Sequence, residues 1–326
     1  MSVTLAICIT PYNQDKSIKY ALESCIDQAE NFDQIIVVDD CSQDSTFLIV
    51  KKIASKYSIP ITTYQFSKNN GGPAWSRNLG LRLSKCQYTC FLDGDDIALR
   101  NRCSSLKEYL TFNKPDALVH GLISADILFS SKLIIPKRKL DTIHSKKIIS
   151  TKYLLSSRAC SPGSSLVLRS DIIKKIGFSE DKNIIGGEDR EMLINLTYNN
   201  YSVCSLPKVL CLYKCNINKS NSSILNSQHL TSPANAINIV NYLKKKYSLI
   251  FDYNIKLEFE TTLTANYIKL YGFVKGLSLL FSTKVYISFF VLINICIRYS
   301  VFFLSSHLIP FFLKPLYKKY INYNLK

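Results

Sequence analysis

Over the first hundred residues, short unbroken apolar blocks alternate with stretches whose apolar positions recur every three or four residues. The blocks are residues 3–9, 35–38, 59–66 and 88–92. Between them, residues 16–29 place Ile18, Ala21, Leu22, Cys25 and Ile26 on one helical face, and residues 46–56 do the same with Phe47, Ile49, Val50, Ile53 and Ala54. Residues 73–84 read as a third helix. Buried strands alternating with amphipathic helices predict an α/β fold built on a mostly parallel sheet. Past Leu99 the pattern changes. Residues 117–124 and 127–135 predict longer, more exposed strands followed by a basic loop, and 164–168 a strand. Residues 171–175 predict a short helix, 188–197 a helix, and 203–206 and 209–215 strands. From Pro233 onward the chain reads as helical with rising apolar content.

In such a sheet, ligands bind outside the carboxyl ends of the strands. The first strand ends in Thr10-Pro11-Tyr12-Asn13, the second in Asp39-Asp40-Cys41-Ser42 and the fourth in Asp93-Gly94-Asp95-Asp96. An aromatic ring beside carboxylates suits a nucleoside: the ring stacks on the base, and the carboxylates accept from base N–H or ribose hydroxyls. The alternative is that Asp40 and Ser42 cap the next helix. Two carboxylates separated by a glycine, Asp93 and Asp95, suit one hard cation that shares its remaining sites with phosphate oxygens. Asn70-Gly71-Gly72-Pro73 enters a helix with Pro73 in its first turn, followed by Arg77, a residue suited to an anion or to a structural pair with an aspartate. Gly187-Glu188-Asp189 opens a further helix. Its acids serve either as first-turn dipole partners or as a general base for an inverting sugar transfer.

Charge sharpens this picture. The chain carries 41 Lys and Arg against 24 Asp and Glu, a formal net charge of +17. Residues 241–326 and 130–152 hold much of the excess, which points to anionic partners such as phosphorylated substrates or acidic lipid headgroups. A nucleic-acid-binding protein would interleave its bases with exposed aromatics on a sheet, whereas here they lie beside apolar residues of the tail. The 11 cysteines are scattered without a C-x-x-C pair, which suits reduced thiols in a cytosolic compartment. Cys204, Cys211 and Cys215 match no zinc spacing. No secretory leader is expected, because the first apolar run stops at Pro11. In a cytosolic protein, the Asn-x-Ser/Thr triplets at Asn195, Asn218 and Asn221 carry no meaning.

Taken in order, these motifs resemble the family 2 glycosyltransferases, whose fold is called GT-A. The series comprises Thr10-Pro11-Tyr12-Asn13, Val37-Val38-Asp39-Asp40-Cys41-Ser42, Asn70-Gly71-Gly72 with Arg77-Asn78-x-Gly80, and Phe91-Leu92-Asp93-Gly94-Asp95-Asp96. Ser161-Pro162-Gly163-Ser164, Lys175-Ile176-Gly177-Phe178 and Gly187-Glu188-Asp189 follow. The resemblance covers about residues 3–215. It implies that Tyr12 stacks on uracil with Thr10 lining the pocket, that Asp40 accepts from the base N–H, and that Asp93 approaches the ribose. It further implies that Asp95 binds Mn²⁺ or Mg²⁺ bridging the diphosphate, that Asp189 is the inverting base, and that Glu188 positions donor or acceptor sugar. Cys41 stands where the family commonly has glycine, and Ser76, with bulky Trp75 before it, stands where alanine often precedes the Arg-Asn pair. The Gln-x-x-Arg-Trp motif of processive synthases is absent, which implies single additions. A non-catalytic nucleotide-sugar-binding protein would be free to lose the metal pair or the base, and both are present.

The resemblance divides the chain into a nucleotide-sugar half (1–98), an acceptor half (99–230) and a basic helical region (231–326). Residues 285–313 are nearly all apolar, but the uncharged run before Arg298 is too short to span a bilayer. Lys284, Ser288, Asn294, Arg298, Ser305 and Ser306 form a narrow polar stripe, and Lys314, Lys318 and Lys319 flank it. The expected behaviour is an amphipathic helix lying on the cytoplasmic membrane face, where the enzyme meets a lipid-linked saccharide of surface polysaccharide synthesis.

Overall fold

Unbroken apolar runs require strands covered on both faces. In the computed structural model, strands β1 (Leu5–Thr10) and β2 (Gln34–Asp39) are buried at every position. The structure describes residues 3–129, 133–140, 149–155, 162–214 and 233–250, apart from Ser58 and Ile185. The chain divides into two units, residues 1–250 and 251–326. The second lies outside the described residues, and with it the expected amphipathic tail; so do Ser161, Cys215 and the triplets at Asn218 and Asn221.

The remaining elements follow in chain order: α1 (Ile18–Ile26), α2 (Thr46–Ala54), β3 (Ile61–Gln65), α3 (Pro73–Leu83), β4 (Tyr88–Asp93), β5 (Ile97–Ala98) and α4 (Arg102–Asn113). Then come β6 (Ala117–Leu128), β7 (Leu133–Leu140), α5 (Thr151–Leu155), β8 (Leu166–Arg169), α6 (Glu188–Tyr198), β9 (Val203–Lys214) and α7 (Pro233–Lys246). The sheet runs β3-β2-β1-β4-β8-β6-β9-β5, with β7 added on β6. Strands β3, β2, β1 and β4 are mutually parallel, as their helical crossovers dictate, and register places Thr10 opposite Asp93 and Asp39 opposite Gln65. Beyond β4 the direction reverses: β8 is antiparallel to both β4 and β6. Helix α3 seats on β1 at Gly80, where an added Cβ would stand 2.2 Å from Cys8 Sγ.

Three sequence expectations shift. The stretch 127–135 was expected as one strand followed by a basic loop. Instead Ile127 and Leu128 close β6, Leu128 pairs with Leu133, and the basic Lys137, Arg138 and Lys139 belong to β7. Apolar residues on both sides of a hairpin turn mimic a single strand. The two strands expected over 203–215 are one strand, because the β6 partners skip from Leu206 to Val209 to Cys211 and pass over Pro207, which lacks an N–H. Helix α4 carries only Cys103, Leu106 and Leu110 as buried apolar positions, too dilute a stripe to be seen in the sequence. Residues 170–174 form a 3-10 turn where a short helix was expected. Among the described residues no helix is long and apolar enough to cross a membrane.

Helix α7 packs along α6. Glu191 of α6 is fully buried, and its Oε1 accepts from Tyr247 Oη and Lys246 Nζ, both at 2.6 Å. The Tyr247 ring meets Tyr198 edge-on at 5.4 Å, and Ile239 lies against Gly187, where an added Cβ would be 3.1 Å away. A buried carboxylate that loses a donor bears its own desolvation penalty. Tyr247→Phe keeps the ring and removes the donor. The expected result is a loss of about 1–3 kcal/mol, read as a lower denaturant midpoint at constant slope. An unchanged midpoint would show that Lys246 alone satisfies Glu191.

Candidate active site

The site assembles where four parallel strands end. After β1 the chain turns through Asn13, which adopts a left-handed φ of 49°. Its N–H donates to Ser42 Oγ at 2.9 Å, and its Oδ1 accepts from Gln43 N at 2.8 Å. The Asp40 N–H donates to Pro11 O at 3.2 Å, so the loops after β1 and β2 are stitched together. Thr10 is buried with its hydroxyl lacking a partner among the described residues, and Tyr12 stands half-buried beyond it.

The paired aspartates divide their labour. Asp39 is fully buried and accepts from Ser42 N (2.8 Å), Ser42 Oγ (2.5 Å) and Gln65 Nε2 (3.0 Å), which makes it a turn-holder. Asp40 accepts from Asn70 N at 3.1 Å and Asn70 Nδ2 at 2.8 Å, tying the β2 end to the β3 loop. Burial raises its carboxyl above the usual range, and the Asn70 hydrogen bonds oppose that rise. Neither Asp40 nor Ser42 caps α2: the N-cap position is Ser45, and Asp44 just before it accepts from Thr46 N at 2.9 Å through Oδ1. Between Asp40 and Ser42, Cys41 sits in the left-handed region at φ 64°.

At the end of β4, Asp93 N donates to Ser164 Oγ at 2.9 Å, and Asp96 N donates to Asp93 O at 3.0 Å, closing a tight turn. Gly94 crosses over the β1 loop: an added Cβ would lie 2.1 Å from Gln14 Oε1 and 2.9 Å from Pro11 Cβ. Asp95 faces Lys214, whose Nζ is 3.8 Å from Oδ2. Burial, with Asp93 beside it, pushes the Asp95 carboxyl up to about 6, against the pull of Lys214. Asp96 is buried, accepts from Lys214 N at 2.8 Å through Oδ1, and is raised well above the ordinary value by burial and by Asp95 and Asp93.

Arg77 joins the two halves of the chain. It is 2% exposed. Its Nη1 donates to Glu188 Oε1 at 2.8 Å and its Nη2 to Asp93 Oδ1 at 3.0 Å. Gly163 lies against it, since an added Cβ would stand 2.0 Å from Nη2. Burial disfavours the guanidinium charge, but Asp93, Glu188 and Asp189 more than offset this and raise its pKa. Glu188 also accepts from Gly186 N at 2.7 Å. Next to it, Asp189 is half-buried, accepts from Arg190 N at 2.7 Å, and is pushed up to about 7 by burial and by Glu188, with Arg77 opposing. The structure therefore gathers Arg77, Asp93 and Glu188 into one ion network, with Asp189 and Asp95 in its field. Thr10, Tyr12 and Asp40 lie along the same edge.

Sequence reading passed over several supports. Arg102 is fully buried, and its Nη2 donates to Phe91 O at 2.7 Å and Ser164 O at 3.0 Å. Asn70 and Lys214 were not singled out as partners of Asp40 and Asp95. No local signal marks them, because their partners lie far along the chain.

Among the described residues, no group of three or more His, Cys, Asp or Glu side chains is gathered as a metal site. The donor set nevertheless fits a cation shared with a ligand. Asp93 Oδ1 is taken by Arg77, whereas Asp95 meets Lys214 only at 3.8 Å and keeps acceptor capacity. Mg²⁺-type sites commonly use one or two carboxylates plus substrate phosphates.

Residues 6–172, just over half of the 326-residue chain, match the profile described as Glycosyl transferase family 2. The chain belongs to that family. Among curated relatives, the minor teichoic acid biosynthesis protein GgaB of Bacillus subtilis is 26% identical over 75% of this chain and 27% of its own length. The glucosyltransferase WfaP of Escherichia coli, named for UDP-Glc and an α-D-GlcNAc-diphosphoundecaprenol acceptor, is 33% identical over 34% of this chain and 42% of its own. The chain thus spans less than half of these relatives. Staphylococcus aureus TarS 1–349 with UDP-GlcNAc superposes with a TM-score of 0.53 at 18% identity, covering 81% of each chain. The mannosyltransferase PcManGT of Pyrobaculum calidifontis, with GDP-Man and Mn²⁺, superposes at 0.59 and 16% identity, covering 92% of this chain and 81% of its own. These likenesses show the GT-A fold for the described sheet.

Within this family 2 chain, Cys41 gives a direct test of the turn. A left-handed L-residue costs about 1–2 kcal/mol, and glycine costs about 0.5–1 kcal/mol in chain entropy. Cys41→Gly is therefore expected to raise stability by up to about 1 kcal/mol, and Cys41→Val to lower it by about 1–3 kcal/mol. Thermal unfolding that ranks glycine below the natural protein would mean that Cys41 contacts, such as Gln43 Nε2 at 3.3 Å from Sγ, outweigh the strain.

Proposed function

We propose that this chain transfers a single sugar from a UDP-sugar to an acceptor hydroxyl with inversion at the anomeric carbon. One observation carries the reading. Asp189, with a carboxyl pushed up to about 7, adjoins the Arg77–Glu188–Asp93 network at the strand ends that also hold Asp40 and Asp95. A base poised near the working pH is what acceptor activation needs.

In this reading Tyr12 stacks on the uracil, Thr10 lines the pocket, and Asp40 uses acceptor capacity left over from Asn70 for the base N–H. Asp93 faces the ribose, its other oxygen held by Arg77. Asp95, with Asp93 beside it, would hold Mn²⁺ or Mg²⁺, which supplies charge neutralisation at the diphosphate leaving group. Asp189 takes the acceptor proton as the new C1–O bond forms, and the bond from C1 to the diphosphate oxygen breaks with UDP leaving. Glu188 positions the sugar, with Oε1 held by Arg77 and Oε2 by Gly186 N–H. The donor half is residues 1–98, the acceptor half 99–230, and the basic region 231–326 meets the inner membrane surface as a peripheral anchor. The acceptor is a lipid-linked saccharide of bacterial surface polysaccharide synthesis. The lipid-linked acceptor for which WfaP is named and the basic, apolar tail support that assignment.

Calorimetry with UDP is expected to give Mn²⁺-dependent binding that weakens at least about tenfold in Asp95→Ala, a loss of about 1.4 kcal/mol. Folded protein that ignores UDP, GDP and dTDP alike would remove the donor site.

The base assignment makes a separate prediction. Only ionised Asp189 accepts a proton, and its raised pKa means the ionised fraction falls as pH drops through about 7. Turnover is expected to fall about tenfold per pH unit below that point and to level off above it. Asp189→Asn is expected to lose about 10²–10⁴-fold in kcat with UDP affinity kept. A flat pH profile would move the base elsewhere.

A further inference from the structure

Lys214 enters the site from a strand far along the chain. Strand β8 is antiparallel to β4 and to β6, and β9 is parallel to β6, so β9 runs in the same direction as β4. Its carboxyl end therefore opens on the ligand edge of the sheet. Lys214 is the last residue of β9, and its main-chain N–H donates to Asp96 Oδ1 at 2.8 Å. The root of the lysine is thus fixed to the turn that carries Asp93 and Asp95.

The ammonium is held more loosely. Nζ stands 3.8 Å from Asp95 Oδ2. An N–H···O hydrogen bond spans about 2.7–3.2 Å, so this pair lacks one. Nζ also lies 5.2 Å from the centroid of the Phe129 ring, which stacks on Tyr20 at 5.1 Å. Both members of the ion pair are open to a ligand, with side chains 21% exposed for Lys214 and 29% for Asp95. A solvent-open pair without a hydrogen bond is weak. A lysine on its flexible stem is, by contrast, an effective point charge for phosphate oxygens.

Asp95 is also the carboxylate with acceptor capacity for a hard cation, since Arg77 takes Asp93 Oδ1. A divalent ion at Asp95 and an ammonium 3.8 Å from the same carboxylate repel each other. A diphosphate removes the conflict, because it offers the displaced ammonium negative oxygens of its own.

We propose that Lys214 is a tethered cation that holds Asp95 while the site is empty and exchanges Asp95 for the diphosphate when nucleotide and metal bind together. The proposal rests on the nucleotide-sugar reading above. It ties metal entry to the nucleotide, and it calls for effects of opposite sign from one substitution. Lys214→Met keeps a long stem and the main-chain bond to Asp96 but removes the charge. Mn²⁺ alone is titrated into the full chain, with unbound Mn²⁺ read by electron paramagnetic resonance. UDP is then titrated by calorimetry at saturating Mn²⁺. Relative to the natural protein, Lys214→Met is expected to bind Mn²⁺ alone at least about fivefold more tightly and UDP with Mn²⁺ at least about fivefold more weakly. Lys214→Arg keeps the charge and is expected to stay closer to the natural protein than Lys214→Met in both affinities. A packing role alone would weaken both together. Any pair of signs other than tighter Mn²⁺ and weaker UDP, in a natural protein that binds UDP, overturns the exchange and leaves the donor site standing. If the folded natural protein binds none of UDP, GDP and dTDP with Mn²⁺ present, the donor reading falls and the exchange falls with it.

Discussion

The Arg77 guanidinium is the constraint on which the site depends. A charge removed from water must meet opposite charge in good geometry, and breaking such a pair costs about 3–5 kcal/mol. Arg77 meets Asp93, 16 residues away, and Glu188, 111 residues away. It thereby fixes the end of β4 relative to the start of α6. The two acids proposed to hold the cation and to take the acceptor proton, Asp95 and Asp189, are each within two residues of an Arg77 partner. Their spacing is a consequence of this one side chain. Gly163 makes the arrangement possible, because any Cβ there would occupy the guanidinium's place.

A second buried arginine supports the same strand from the backbone side. Arg102 spends Nη2 on the carbonyls of Phe91 and Ser164, and Ser164 in turn receives the Asp93 N–H on its hydroxyl. Thus Arg77 orients the Asp93 side chain, while Arg102 and Ser164 hold its main chain. This occurs where β4 passes from its parallel neighbour β1 to its antiparallel neighbour β8. Strand order reverses on the other side of β4, between β1 and β4, and that is where sheets of this class open a crevice for ligands.

The parallel half was legible in the sequence because each of its elements is local: an apolar block, a helical stripe and a polar cluster at the strand end. The three clusters could be placed on one edge from strand direction alone. What the sequence hid depends on partners far along the chain. Arg77 read equally as an anion ligand or a structural cation until Asp93 and Glu188 were both in view. Glu191, Lys246 and Tyr247 carry no local signal in the sequence, yet they form a buried contact between α6 and the end of α7. Cys41 was visible as a departure from a common glycine, and the left-handed φ explains why glycine is common there. The β7 hairpin and α4 were missed for a different reason: their apolar patterns are interrupted by Lys137, Arg138 and Lys139 in one case and by Ser104, Ser105 and Lys107 in the other.

The electrostatics of the gathered acids point the same way as their geometry. Asp95, Asp96 and Asp189 all have raised carboxyl pKa values, with burial as the first cause and neighbouring acids next. A carboxyl whose folded pKa exceeds its unfolded value near 4 destabilises the fold once ionised. That penalty is absent below pH 4 and complete above about 6 for Asp95 and about 7 for Asp189. At neutral pH the folded chain therefore holds Asp95 and part of Asp189 ionised against a local cost. Lys214 at 3.8 Å and Arg77 offset only part of it. On the proposed reading, a cation held at Asp95 lowers that cost, whereas the rise at Asp189 comes from burial and Glu188 and is separate from it.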